Sequence, residues 1–192
     1  VLNVLKDKGG IVPTVVLTLT CVITALLLAL TYSATKDTIA AASLGAQGEA
    51  MKVLFADADT FAPIDVAGLQ GEIPELTGAF EAKKGNDVIG TVIQTTAKGY
   101  GGDIPVMTGF KADNTLSGIK ITETQESPGI GKKIEEPAFQ DQFVGKPGDK
   151  EFALKASGDQ TAVDQVAGAT ISSGAVMKAI NAAVKAAAKL KN

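Results

Sequence analysis

Asp164-Gln165-Val166-Ala167-Gly168-Ala169-Thr170-Ile171-Ser172-Ser173 is a run of small residues that ends in one hydroxyl and opens onto a helical pattern. Val176, Ile180, Val184 and Ala187 follow at helical spacing, which predicts a helix from about Ser173 to Leu190, with Ser172 or Ser173 as its cap. The first turn of a helix presents unpaired N–H groups and a partial positive charge, so it favours an anion. Thr170 therefore sits where a phosphate group is welcome. The plainer reading is that Thr170 caps backbone amides. Against it, Gly168-Ala169 lets a bulky group approach the backbone, and Ser172 and Ser173 add hydroxyl donors beside it.

Upstream the pattern changes from helical to alternating. Ala79 to Ala82 and Val88 to Thr96 flank Lys83-Lys84-Gly85-Asn86-Asp87, which reads as a hairpin. Ile104 to Phe110 is a further apolar run, with Pro105 near its start. Asp113-Asn114 reads as a turn, and Ile119 and Ile121 alternate with Lys120 and Thr122 as a half-buried strand. Lys146-Pro147-Gly148-Asp149 and Ser157-Gly158-Asp159 read as turns, and Phe61 to Pro74 as a loop-rich connection. The expected fold class is α+β: an antiparallel-rich sheet with flanking helices, preceded by one N-terminal transmembrane helix.

That helix is read from charge. No charged residue occurs between Lys8 and Lys36, and Ile11 to Tyr32 is dominated by Val, Leu, Ile, Ala and Thr. At a rise of roughly 1.5 Å per residue this run spans the ~30 Å hydrocarbon layer. Pro13 falls in its first turn and Tyr32 at an interfacial position. A cleaved signal peptide has a shorter apolar core. Lys6 and Lys8, offset by Asp7, face Lys36 and Asp37 across the span, which favours a cytoplasmic N-terminus and an extracytoplasmic C-terminal domain. A chain that begins at Val1 is expected to have residues upstream. The expected organisation is a cytoplasmic stub (1–10), a transmembrane helix (11–34), a helical connector and loop (35–75) and a folded extracytoplasmic domain (76–192). Within the connector, Ile39, Leu44, Met51 and Leu54 are spaced for one helix face.

Composition excludes much chemistry. Of the 192 residues 18 are basic, all of them Lys, and there is no His or Trp. Serine or cysteine nucleophile systems that rely on His, and His-ligated metals, are therefore absent. Without Arg the chain has no planar fork to grip a free phosphate. A phosphorylated cofactor would need backbone N–H groups, Lys, or a covalent bond. The net charge of -3 and pI near 5.0 argue against a nucleic-acid partner. The single Cys, Cys21, lies in the apolar run and reads as facing lipid or a neighbouring helix.

Two further segments carry site signals. Gly99-Tyr100-Gly101-Gly102 has three glycines that allow close backbone packing and an aromatic face that suits a flat ring. Glu126-Ser127-Pro128-Gly129-Ile130-Gly131 is a tight turn that carries one apolar side chain, followed by Lys132 and Lys133. Each alone is compatible with an ordinary turn.

Together with Asp164-x-x-Ala167-Gly168-Ala169-Thr170, these segments resemble the FMN-binding domain shared by the G subunit of Rnf ion-translocating ferredoxin:NAD oxidoreductase complexes and the C subunit of the sodium-pumping NADH:quinone reductase. The resemblance covers essentially the whole chain. The family commonly has Glu-Thr-Pro-Gly-Leu-Gly where this chain has Glu126-Ser127-Pro128-Gly129-Ile130-Gly131, a change that keeps chemical character. The short chain favours the Rnf protein over its quinone-reductase counterpart.

The resemblance implies covalent FMN, joined by a phosphoester to Thr170, so that the chain is modified on a hydroxyl and acts as an electron relay in a Na⁺- or H⁺-pumping membrane complex. It implies a cofactor site of Thr170, Gly168, Ala169, Ser172, Ser173, Gly99, Tyr100, Gly101, Gly102, Glu126, Pro128, Gly129, Ile130 and Gly131. No catalytic residue and no metal ligand is expected. Making the bond needs a base, a metal or both; Asp164 is the only acid close in sequence, so a separate magnesium-dependent flavin transferase is implied. Asp164 is then a recognition residue or a turn residue. The chain has no nucleotide fingerprint and no cysteine set for an iron–sulfur cluster, so ferredoxin and NAD sites belong to partner subunits. Thr14, Thr18, Thr20 and Thr24 would pack the membrane helix against them. Readings from other classes are a non-redox membrane-anchored assembly module, which would be colourless, and a stand-alone flavoenzyme with Tyr100 or Glu126 as proton donor.

Overall fold

The computed structural model describes residues 11–122, 124–154 and 162–191. It divides at Gly45/Ala46 into two compact units, each considered by itself. Helix α1 spans Ile11–Leu54.

In the first unit, Pro13–Thr35 is a helical stretch of mean hydropathy 2.4, long and apolar enough to cross a membrane, and none of it is buried. Its threonines bond to their own helix. Thr18 Oγ1 donates to Thr14 O, Thr20 to Val16 O, Thr24 to Thr20 O and Thr31 to Leu27 O, each at 2.8 Å. Hydroxyls satisfied in this way are tolerated in an apolar medium without a partner helix. The side chains of Ile39 and Leu44 lie outside the described residues.

The second unit is built on a five-stranded antiparallel meander, with strands in sequence order β1 to β5. The strands are β1 Thr60–Ile64, β2 Leu76–Lys84, β3 Asp87–Lys98, β4 Asp103–Lys111 and β5 Leu116–Ile121. A short helix, α2 (Ala67–Gln70), links β1 to β2. The expected hairpin is present, with Lys84 paired to Asp87 across Gly85-Asn86. The expected loop from Phe61 to Pro74 needs correction. Phe61, Ala62 and Pro63 are in β1, opposite Ala82, Glu81 and Phe80, and the second unit begins at Ala46 rather than near residue 76. Proline reads as a strand breaker, but β1 is an edge strand, where a missing N–H is accommodated.

After β5 come a 3₁₀ turn at Gly131–Glu135, helix α3 (Pro137–Gln140) and a second 3₁₀ turn at Asp141–Phe143. The short parallel pair β6 (Ala153–Leu154) and β7 (Ala162–Val163) leads to the last helix, α4 (Thr170–Leu190). The predicted turn at 157–159 lies outside the described residues.

Alternation along the strands sends side chains to two faces. One face, with Ile93, Ile104, Val106, Phe110 and Ile121, forms the main core with α4. The other, with Ala82, Val92 and Met107, is covered by Ala50, Met51, Leu54 and Phe55. Each fully buried Ile or Phe contributes about 1.5–3 kcal/mol. The α4 stripe is broader than the four predicted residues, because Ala175, Ala179, Ala182, Ala183 and Ala186 are buried beside them.

Around the rim, Glu75 and the Lys178 ammonium lie 2.8 Å apart. The hydrogen bond to Lys178 is the main cause that holds the Glu75 carboxyl below its usual 4.5. A depressed carboxylate stabilises the fold above its unfolded pKa, and that contribution is lost as pH falls through the folded value. Thermal melts should therefore show Lys178→Met less stable than the parent at neutral pH by under ~1 kcal/mol, with the gap closing as pH drops below about 4.5. A gap that persists at pH 2 would contradict this assignment.

Candidate functional site

The functional cluster is assembled where three loops meet the start of α4. The loop after β7 is fixed at both ends. Asp164 N–H donates to Gln142 Oε1 at 2.8 Å and Gln142 Nε2 donates to Asp164 O at 3.3 Å. Ala169 N–H donates to Val166 O at 3.0 Å. Gly168 has φ +80°, a left-handed conformation that favours glycine.

Helix α4 begins at Thr170, three residues earlier than its periodicity indicates, and no side chain caps it. Ser172 and Ser173 are buried in its first turn and do not cap it. Ser173 Oγ accepts the Val166 amide at 3.1 Å, and Ser172 Oγ donates to Glu126 Oε2 at 2.8 Å. The first intrahelical bond is Ser173 N–H to Ala169 O, and the amides of Thr170, Ile171 and Ser172 have no acceptor among the described residues. Thr170 is exposed.

Glu126 joins this helix start to the other two loops. It is only 3% exposed. Its Oε1 accepts the amides of Tyr100 at 2.8 Å and Gly101 at 3.0 Å, while Oε2 takes the Ser172 hydroxyl. Glycines make room for it. A Cβ on Gly99 would lie 2.3 Å from Glu126 Oε1, one on Gly131 2.6 Å from Oε2, and one on Gly101 2.2 Å from Gln125 O. The turn that follows uses Gly129 at φ +77°. On either side of the turn, Thr124 Oγ1 donates to Glu135 Oε1 at 2.6 Å, and Gln140 Oε1 accepts the Ile121 amide at 2.9 Å, which anchors the segment to the sheet edge.

These parts enclose a cleft of about 490 Å³, lined by Tyr100, Glu126, Ser127, Ile130, Gly131, Gly168, Ala169, Thr170, Ile171 and Ser172. Eight of the predicted site residues therefore meet. Gly99, Gly101, Gly102, Pro128, Gly129 and Ser173 do not line the cleft. Gly99, Gly101 and Gly102, expected beside a ring, pack instead against Gln125 and Glu126. Ser127 and Ile171 were not anticipated. An apolar residue directly after Thr170 was the available signal, because an exposed helix start rarely needs one. Tyr100, Ile130 and Ile171 are 73%, 52% and 59% exposed, an apolar rim around the opening. Among the described residues no lysine lines the cleft; Lys132 is half-buried and Lys133 exposed.

Gly101→Ala is expected to cost about 1–3 kcal/mol, because the added methyl meets the Gln125 backbone carbonyl rather than a movable side chain. Denaturant melts check it, and an unchanged midpoint would contradict the packing.

Known proteins bear on this geometry. The FMN-binding domain family matches residues 99–185, which include all three loops of the cleft. The chain is 30% identical over 94% of its length to the G subunit of the proton-translocating ferredoxin:NAD(+) oxidoreductase complex of Clostridium ljungdahlii, covering 93% of that protein. The chain belongs to the G-subunit family of ion-translocating oxidoreductase complexes. Another member, the G subunit of the ion-translocating oxidoreductase complex of Methanosarcina acetivorans, is 33% identical over 84% of this chain and 86% of its own. Among solved structures, the crystal structure of Shewanella oneidensis NqrC aligns with 54% of this G-subunit chain and 53% of its own, at 26% identity and a TM-score of 0.48.

Proposed function

We propose that this chain is the electron-relay subunit of a membrane ion-pumping ferredoxin:NAD⁺ oxidoreductase complex, carrying FMN bonded through its phosphate to Thr170. The observation that carries this reading is Thr170 itself: an exposed hydroxyl on the first turn of α4, beside three amides with no acceptor among the described residues, on the wall of a cleft with an apolar rim. The residues present suit FMN. The cleft lies within the roughly 300–1,000 Å³ range of cofactor sites. The free amides and the helix N-terminus suit a phosphate. Tyr100, Ile130 and Ile171 offer apolar faces to a flat ring.

FMN, when bound, supplies the redox chemistry; the protein supplies position and dielectric. With no Lys on the cleft wall among the described residues and no Arg in the chain, a free dianionic phosphate would lack a cationic partner there. A covalent bond makes retention independent of flavin concentration, which suits a site outside the cytoplasm. The carboxylate that lines the cleft, Glu126, already accepts three hydrogen bonds, so Thr170 has no evident base. Modification by a separate flavin transferase follows, in which the Thr170 oxygen replaces AMP on the FMN phosphorus of FAD and the hydroxyl proton is lost. Pro13–Thr35 would anchor the subunit, with the FMN domain extracytoplasmic and the other subunits supplying ferredoxin and NAD sites.

The test is on the complex purified from its own membranes in mild detergent. Reduced ferredoxin should bleach the flavin bound to this chain, and NAD⁺ should restore its colour. A flavin that stays oxidised throughout would contradict the relay.

A further inference from the structure

Among the described residues the cleft wall holds one carboxylate and no ammonium group, and that carboxylate is buried. Glu126 is 3% exposed, yet each oxygen is engaged: Oε1 by the Tyr100 and Gly101 amides, Oε2 by the Ser172 hydroxyl. The partners are 25, 26 and 46 residues away in sequence, so the side chain bonds together three separate segments. It has no ammonium partner, since the lysines at 132 and 133 do not line the cleft and no ion pair with Glu126 is present among the described residues. Burying a charge is costly unless hydrogen bonds compensate it. A glutamine there could keep all three contacts, with its carbonyl facing the two amides and its NH₂ facing the Ser172 oxygen. The contacts therefore explain a polar side chain at this position, and the negative charge has a separate consequence.

We propose that Glu126 is the positioning residue of the cleft: its hydrogen bonds lock loop 99–102 and loop 126–131 to the first turn of α4, and its charge lowers the reduction potential of the flavin carried on Thr170. The second half rests on the covalent-flavin reading; the first does not. A fixed negative charge in a partly dry cleft opposes the arrival of electrons there, and the effect is larger than in bulk water. The two roles separate in two variants. Glu126→Gln removes the charge and keeps the bonds, whereas Glu126→Ala removes both.

The first measurement uses the full chain in detergent without flavin. Hydrogen exchange at the Tyr100 and Gly101 amides should be near the parent's in Glu126→Gln and about tenfold or more faster in Glu126→Ala. Parent-like protection in Glu126→Ala would overturn the positioning role, as would a Glu126→Gln chain that fails to fold. The second measurement uses chains loaded by a flavin transferase. The flavin midpoint potential, read on the loaded fraction, should be more positive in Glu126→Gln than in the parent. An equal potential overturns the charge role. A parent chain that takes up no covalent flavin instead contradicts the Thr170 reading, while the exchange result still decides the positioning role.

Discussion

Thr170→Ala, made beside a flavin transferase, is expected to lose all covalent flavin. On a denaturing gel the parent band should fluoresce under ultraviolet light, and the variant band should be dark at the bare-chain mass. The expected loss is complete rather than graded, because no other exposed hydroxyl lies on the first turn of α4. Ser172 and Ser173 are 2% and 0% exposed, and their hydroxyls are engaged with Glu126 and the Val166 amide. The substitution is also structurally mild. Thr170 is exposed and its side chain caps nothing, so stability should change by no more than ~0.5 kcal/mol. Thr170→Ser keeps the hydroxyl and should retain fluorescence. A fluorescent Thr170→Ala band would contradict the attachment site.

Phe143→Ala should produce the largest loss of stability, about 3–5 kcal/mol. Phe143 is fully buried. Its ring meets Phe139 edge-on at 5.8 Å between centroids and Phe152 at 5.7 Å, which adds geometry-dependent attraction to burial. Asn181 holds the third ring's backbone on α4, accepting the Phe152 amide at 2.7 Å and donating to its carbonyl at 3.0 Å. The aromatic cluster thus joins the 3₁₀ turn at Asp141–Phe143, β5 and α4, and the cleft loops depend on this support. Thermal melting by circular dichroism should fall by roughly 6–20 °C. A fall equivalent to less than ~1 kcal/mol would show that the three rings do not act as core.

The sheet was readable from local signals where they were strong. The hairpin at residues 83–87, the run Ile104 to Phe110 and the Ile119/Ile121 alternation each carry their own period and turn residues, and each became a strand end or strand. β1 was not readable, since Phe61-Ala62-Pro63-Ile64 looks like a loop until β2 is present to pair with it. The helix start was misjudged by three residues because Thr170, Ile171 and Ser172 carry no apolar period; Ala169 enters α4 without a side-chain cap. Small residues also hid the breadth of the α4 face, since buried alanines add little to an apolar pattern.

The same distinction holds at the site. The hydroxyl at Thr170, the apolar Ile130 and the aromatic Tyr100 were legible as residue types in marked loops, and the fold brings all three to one cleft. The role of Glu126 was not legible, because it consists of contacts to residues 25 or more positions away. Nor was the reason for Gly99, Gly101 and Gly131. They look like a surface for a ring; all three make room for Gln125 or Glu126, and Gly131 also lines the cleft.

The central claim concerns one atom, the Thr170 oxygen. It is tested most directly by digesting the full chain at lysine and fragmenting the peptide that contains residues 156–178 by mass spectrometry. The account predicts an added mass of FMN less one water, localised to Thr170. An added mass on Ser172, Ser173 or a residue outside this peptide, or no added mass in protein matured beside a flavin transferase, would contradict it.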